Sequence, residues 1–122
     1  MHTKTMYKTD IETKETSPVG TPGARDVQIQ LLLDEKNGAP NFTMRRFIIQ
    51  PGGQTPHHAH DWEHEVFILE GHGEVKLTDR SEPVSANDAI LVPPGIEHSF
   101  HNTGSAPLAF LCLVPNGPAT RG

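Results

Sequence analysis

The sequence predicts a single all-β domain, either a sandwich or a barrel of short strands. The chain has 122 residues, a length that suits one domain with one hydrophobic core. Eleven glycines and eleven prolines interrupt it often, so long helices are not expected. Between these interruptions, short β-rich stretches recur about every 8–12 residues, a spacing typical of all-β sandwiches and barrels.

Two strands are predicted in the first half of the domain. The first is indicated by Val27, Ile29 and Leu31, which alternate with their neighbours at the period of a strand. A turn cluster at 34–40 follows. The second strand covers Phe42–Gln50, and we expect it to stop at the Pro-Gly-Gly sequence of residues 51–53.

The second half begins with a predicted hairpin. Glu65–Glu70 and Glu74–Thr78 flank the sequence Gly-His-Gly at 71–73, which favours a tight turn between paired strands. The remaining predicted strands are short and are separated by turn residues: Pro83–Ser85, Ala89–Val92, His98–Asn102 and Leu108–Val114.

The predicted domain covers residues 25–116. Residues 1–24 follow neither a helical nor a strand period, and we expect a mobile tail or an arm that becomes ordered on a partner subunit. Residues 117–122 are predicted to be a C-terminal tail.

Composition excludes several classes of function. The net charge is -5 and the basic residues are not clustered, so no nucleic-acid partner is expected. The longest apolar run, 108–114, is too short to span a membrane. No signal peptide is recognisable, so a cytoplasmic location is expected. Cys112 is the single cysteine, which excludes an internal disulfide and a cysteine-based zinc ribbon.

The histidines indicate a metal site. Four of the eight lie within residues 57–64. His58 and His60 share one face of an extended segment, whereas His57 points the other way. Two imidazoles on one face can bind a single metal ion, although the pattern is weak when it stands alone.

Two motifs resemble those of the cupin superfamily. Gly52 stands six residues before His58, and His60, His64 or Glu65, and Gly71 follow, as in the first cupin motif. Residues 93–102 match the second motif, PxGxxHxxxN, at every fixed position. Asn87 stands where the second motif normally opens with glycine, and asparagine tolerates the positive φ required there. The resemblance covers about residues 40–115 and implies a jelly-roll-like cupin barrel with a metal inside it.

The third ligand of the first motif is open between two adjacent residues. His64 and Glu65 point to opposite faces of one strand, so only one of them can reach the metal. Six residues separate His64 from Gly71, which is the family spacing, and the predicted hairpin would fix that register. The run 58–64 (HAHDWEH) also resembles small stand-alone cupins that use four histidines, often with manganese. We therefore favour His58, His60, His64 and His98, with Glu65 as the alternative.

Four neutral imidazoles would leave one divalent ion with its full charge and about two open positions. Such a site attracts anionic ligands. Manganese or iron is favoured, and zinc, nickel or copper also suits nitrogen donors. Because ligation needs unprotonated histidine, affinity should decrease below about pH 6.5.

Five further residues are candidates for the pocket. Phe110, Cys112 and Val114 share one face of the last strand, which resemblance to small cupins places inside the barrel. An inward Arg45 would be costly without an anion, so it is a candidate for orienting a substrate carboxylate. Trp62 lies between the ligands and could form a wall of the site.

Three functions remain open. The first is a metal-dependent oxidoreductase, using oxygen or peroxide, that acts on a small and possibly anionic organic molecule. The second is a sensor or carrier that binds a small ligand without turnover, and the third is a barrel that its metal merely stabilises. Non-redox isomerisation or decarboxylation is less favoured because it needs a positioned base. A homodimer is expected, with the edge strand near 27–33 as the contact.

Overall fold

Nine strands and one turn of 3-10 helix make up residues 5–117, the part of the chain that the computed structural model describes. The predicted all-β class is confirmed. The strands are β1 (Ser17–Pro18), β2 (Arg25–Leu33), β3 (Phe42–Gln54), β4 (His64–Glu70), β5 (His72–Lys76), β6 (Ser81–Ser85), β7 (Ala89–Val92), β8 (Ser99–His101) and β9 (Leu108–Pro115), and the 3-10 turn is Glu35–Asn37.

One curled sheet forms a half-barrel of two layers. Its strand order is β6-β5-β8-β3-β9-β4-β7, and β2 pairs with β3 and with β1. All of the pairings are antiparallel. Strand β3 reaches both layers, because its residues 42–49 pair with β9 and its last residue, Gln54, pairs with His101 of β8.

Strand β3 is longer than predicted. It was expected to stop at Pro51, but it continues through the Pro-Gly-Gly sequence to Gln54. Gly52 adopts a φ of 83°, and the pairing of β2 with β3 shifts register between Arg25 and Val27. A proline and a glycine are compatible with a strand at such an irregularity, so here they bend the strand from one layer into the other.

The predicted hairpin around Gly71 is wrong. Strand β4 pairs with β7 and β9, whereas β5 pairs with β6 and β8. Gly71, with a φ of 85°, is therefore a corner at which the chain passes between layers. A Cβ atom at this position would collide with the carbonyl oxygen of Pro107, so the corner requires glycine.

Part of the segment predicted to be a tail or arm lies against the barrel of its own chain. Ser17 and Pro18 pair with Ile29 and Gln28 of β2. The amide of the buried Gln30 donates hydrogen bonds to backbone carbonyls in 11–14, at 2.8 and 3.1 Å. The ends of the predicted tails, 1–4 and 118–122, lie outside the described residues.

The hydrophobic core lies between the layers and sets one wall of the site. Phe110 is at its centre, with its ring stacked at 4.6 Å on Phe100 and at 5.5 Å on Phe47. The positive φ expected at Asn87 is confirmed at 79°. In the described part of the chain, no helix has the length and apolar character that crossing a membrane requires.

Candidate metal-binding cavity

Backbone hydrogen bonds join the two histidine-bearing segments. His58 and His98 form an isolated antiparallel bridge, with N–O distances of 3.2 and 3.1 Å. The amide of Gly95 donates to the carbonyl of His60 at 2.7 Å. Residues 40 positions apart in the sequence are thereby fixed side by side, before any side chain contributes.

The four predicted histidines lie together at one end of the barrel. Successive ring centroids are 4.2 Å apart for His58–His60, 5.4 Å for His60–His64, 5.0 Å for His64–His98 and 6.0 Å for His98–His58. His60 also stacks on Trp62 at 4.4 Å and 10°, which restricts its ring orientation.

Burial favours the neutral form of these imidazoles. Desolvation is the largest cause that lowers the pKa of His58, His60 and His98. The pKa of His64 falls to about 3, first through burial and then through the nearby His98 and Arg45. A neutral imidazole is the form that binds a metal.

The orientation of His98 is set by its second ring nitrogen. Nδ1 lies 3.0 Å from the carbonyl oxygen of Ile96, and because a carbonyl only accepts, Nδ1 carries the proton and donates. Nε2 is therefore left with its lone pair, an arrangement typical of metal-binding histidines. Nδ1 of His64 is buried and has no hydrogen-bond partner in the described part of the chain.

The two alternatives for the third ligand occupy different environments. His64 is 7% exposed and faces the other histidines, whereas Glu65 is exposed on the outer face of β4. The register that separates them comes from the pairing of β4 with β7 and β9 rather than from a hairpin. The side chain of Glu65 faces away from the histidine group.

The four histidines line a cavity of about 470 Å³, here called the histidine cavity. Arg45, Trp62, Phe110 and Cys112 also line it, as predicted. Val114 does not: it is 1% exposed and belongs to the hydrophobic core, two residues farther along β9 than Cys112.

Other lining residues were not identified from the sequence. Phe47 and Phe100 contribute aromatic walls, and Val27 and Ile29 of β2 contribute aliphatic ones. Phe47 shares a strand face with Arg45, which was a usable signal. Residues 19–21 also line the cavity, but they lie in the segment predicted to be a tail, where no period pointed to them.

The donor set fits a divalent metal by its chemistry. Within residues 5–117, no group of three or more His, Cys, Asp or Glu side chains is already arranged closely enough to hold a metal ion. Nevertheless, four inward imidazoles have lowered pKa values, and His98 has the tautomer that ligation requires. These two properties are what a nitrogen-ligated metal demands of its ligands.

Comparison with known proteins gives the family. The sequence profile of the cupin domain family (Cupin_2) matches residues 45–114. The oxalate-binding protein of Thermotoga maritima is 33% identical over 96 residues, which are 75% of this chain and 78% of that protein. The mannose-1-phosphate guanylyltransferase of Klebsiella pneumoniae is 36% identical over 74 residues, which are 59% of this chain but only 16% of that enzyme.

A solved structure extends the likeness over nearly the whole chain. The polyketide cyclase RemF of Streptomyces resistomycificus superposes with a TM-score of 0.88 at 33% identity, covering 93% of this chain and 81% of that chain. Both predicted motifs, at 52–71 and 93–102, fall within the residues that the family profile matches. From these matches and the half-barrel described above, we conclude that the chain belongs to the cupin domain family.

Proposed function

We propose that this protein is a metal-dependent enzyme that closes a ring in a small polycarbonyl compound of the polyketide type. The observation that carries the proposal is the histidine cavity, in which four neutral imidazoles from two segments face an aromatic-walled space of about 470 Å³. Such a volume suits a small organic ligand. The likeness to the polyketide cyclase RemF supports the class of reaction.

The proposed chemistry needs no oxidant. In an aldol-type ring closure, an enolisable carbon loses a proton and bonds to a ketone carbon of the same chain, whose oxygen takes up a proton to become a hydroxyl. The same carbon then loses a second proton, and the hydroxyl leaves as water. His58, His60, His64 and His98 would hold one divalent ion, with manganese or iron favoured. That ion would supply Lewis-acid polarisation of a carbonyl or enolate oxygen.

The aromatic residues would select and orient the substrate. Phe47, Phe100 and Phe110 form a stacked series along one side of the cavity, with interplanar angles of 27° and 29°. A flat conjugated chain packs favourably against such rings, which also exclude water from the reacting carbons.

An oxygen-using oxidoreductase is the second candidate, and one observation favours it. Among the described residues, the lining of the histidine cavity contains no aspartate, glutamate or lysine. Abstraction of a proton from carbon usually relies on such a base, whereas a redox reaction at a metal does not.

The metal site is tested by metal analysis of protein purified without a histidine tag. We expect about one manganese or iron per chain in the wild type and in Glu65→Ala. In His64→Ala, the content should fall to about a tenth or less. Loss with Glu65→Ala instead would place a carboxylate in the site. Absence of metal in all three proteins, even after reconstitution, would refute a metal-dependent enzyme.

The two reactions are then separated with one substrate. Metal-loaded protein is incubated under air in an oxygen electrode with a linear tri-β-ketone, once with and once without a terminal carboxylate, and product masses are measured by mass spectrometry. Ring closure predicts loss of one water without oxygen uptake. Oxygen uptake that requires the protein would favour the oxidoreductase, and an unchanged but bound ketone would favour a non-catalytic binding protein.

A homodimer remains a proposal, and the edge of β2 supports it. Among the described residues, β1 pairs with Ile29 and Gln28 of this strand, and Leu31 farther along the strand is 49% exposed. An apolar side chain on an incompletely covered edge favours contact with a second strand. The mass of the protein in micromolar solution measures this property directly.

A further inference from the structure

The guanidinium of Arg45 lines the histidine cavity and has few hydrogen-bond partners. It lies on β3 opposite Cys112 of β9, and its Nη2 donates to the sulfur of Cys112 at 3.2 Å. Its Cζ lies 5.0 Å from the ring centroid of Phe47. Its Nε is buried and has no hydrogen-bond partner within residues 5–117. A thiol is a weak acceptor, so the protein satisfies Nη2 poorly and Nε not at all.

No counterion accompanies Arg45. Within residues 5–117, no carboxylate lies within ion-pair distance of it, and no carboxylate lines the cavity. Of the described residues that line the cavity, Arg45 is also the only lysine or arginine. Withdrawing a cation from water is costly unless an anion or several hydrogen bonds compensate.

The other two arginines of these strands have polar partners. Arg46, the next residue, points to the opposite face of the sheet and donates from Nη1 to the side-chain oxygen of Gln30 at 2.9 Å. Arg25 donates to the carbonyl of Gly52 at 2.9 and 3.2 Å and to Gln54. Nε of Arg46 is also buried without a partner in residues 5–117, so the contrast lies in the Nη groups. Those of Arg46 and Arg25 donate to oxygen acceptors, whereas Nη2 of Arg45 meets only a thiol.

We propose that Arg45 binds the carboxylate of the substrate, so that this cavity takes a keto acid rather than a neutral ketone. The planar fork of a guanidinium donates two parallel hydrogen bonds to a carboxylate. The acid would lie with its carboxylate at Arg45, its body along Phe47 and Phe110, and its carbonyl end towards the histidines. The statement about the histidine end rests on the proposed function, whereas the anion site itself does not need a metal.

The test uses a pair of probes that differ in charge. Benzoate and benzamide have the same ring and nearly the same shape, but only benzoate is an anion at pH 7.5. Dissociation constants are measured by ligand-observed NMR on chelator-treated, metal-free full-length protein. We expect wild type to bind benzoate about tenfold or more tightly than benzamide, as a charge-assisted pair of hydrogen bonds implies.

Three variants assign the preference to one side chain. Arg45→Gln should bring the ratio of the two constants close to one. Arg45→Lys keeps the positive charge but loses the planar guanidinium, so it should retain part of the preference for benzoate. Arg46→Gln is the matched control and should leave the ratio unchanged. Thermal unfolding shows whether each variant is folded. If Arg45→Gln does not fold, Arg45→Lys alone tests whether the preference depends on the guanidinium.

Two results would overturn the inference: no preference for benzoate in wild type, or a full preference that persists in Arg45→Gln and Arg45→Lys. Because the metal has been removed, these results do not depend on the metal content of the protein. A protein that binds no metal but keeps the Arg45-dependent preference would refute the proposed function and retain the anion site.

Discussion

Two cavities of this barrel differ in size and in how their charges are satisfied. The larger, about 1020 Å³, lies beside the β5–β6 hairpin, β7 and the loop at 93–97, and is here called the outer cavity. Its charged residues are exposed and have partners: Arg80 lies 3.8 and 3.7 Å from Asp79 and Glu82, and Glu97 lies 3.8 Å from His57. The histidine cavity has less than half that volume, but its arginine lacks a counterion in the described structure.

This difference indicates that buried polar groups without hydrogen-bond partners locate a binding site better than cavity volume does. In the outer cavity, Thr78 donates to Glu97 at 3.1 Å, and water can reach every ionised group. In the histidine cavity, Nε of Arg45 and Nδ1 of His64 are buried and have no hydrogen-bond partner among the described residues. A ligand that hydrogen-bonds to such groups binds more tightly, because it restores interactions that the groups lost when they were buried.

The largest contrast is expected from removing a wall residue of each cavity. Phe110 is 2% exposed and stacks on two other rings, so Phe110→Ala should lower the free energy of unfolding by about 3–5 kcal/mol. Leu91 lines the outer cavity and is 60% exposed, so Leu91→Ala should change it by less than about 0.5 kcal/mol. Urea unfolding measures both values. Equal losses of unfolding free energy in the two variants would mean that Leu91 belongs to the hydrophobic core as much as Phe110 does.

The second contrast is the dependence of stability on pH. Burial lowers the pKa of the four histidines, to about 3 for His64, whereas the unfolded chain titrates near 6.5. The unfolded state therefore binds more protons below pH 6.5. Stability is fully present above that pH and should be lost as the pH falls from 6.5 towards 3. The slope is at most about 1.4 kcal/mol per pH unit for each histidine.

Urea unfolding of metal-free protein between pH 7.5 and 5 checks this prediction. His64→Gln removes one of the titrating groups and should flatten the slope below pH 6.5. A wild-type curve that is level over this range, or a variant curve as steep as that of the wild type, would contradict the assigned pKa directions.

Local signals in the sequence were sufficient to predict most of the fold and, within the histidine group, the pair His58 and His60. Strand positions follow from turn residues and β-rich stretches that act over a few residues, and the alternation at 57–60 correctly separates His58 and His60 from the exposed His57. The juxtaposition of His58 with His98, however, depends on a backbone bridge between distant segments. It was predicted only through the two motifs.

The errors concern strand pairing, the extent of β3 and the missed strand β1. A Gly-His-Gly sequence shows that the chain bends at Gly71, but not whether β4 pairs with β5 or passes into the other layer. Packing of Pro107 and Leu108 against that glycine decides the outcome, and this contact is invisible locally. Likewise, the two-residue strand Ser17–Pro18 has no period, because backbone hydrogen bonds to β2 alone define it.

A small effect is also expected from the paired arginine of the outer cavity. The side chain of Arg80 is 60% exposed, and exposed ion pairs contribute about 0–1 kcal/mol because water and salt screen them. Arg80→Ala should therefore change the free energy of unfolding by less than about 1 kcal/mol, and less again at 1 M salt. It should also leave the benzoate preference untouched, since Arg80 lines the other cavity. A loss of that preference in Arg80→Ala would show that the anion binds in the outer cavity. Cavity volume would then predict the anion site better than the guanidinium without a counterion does.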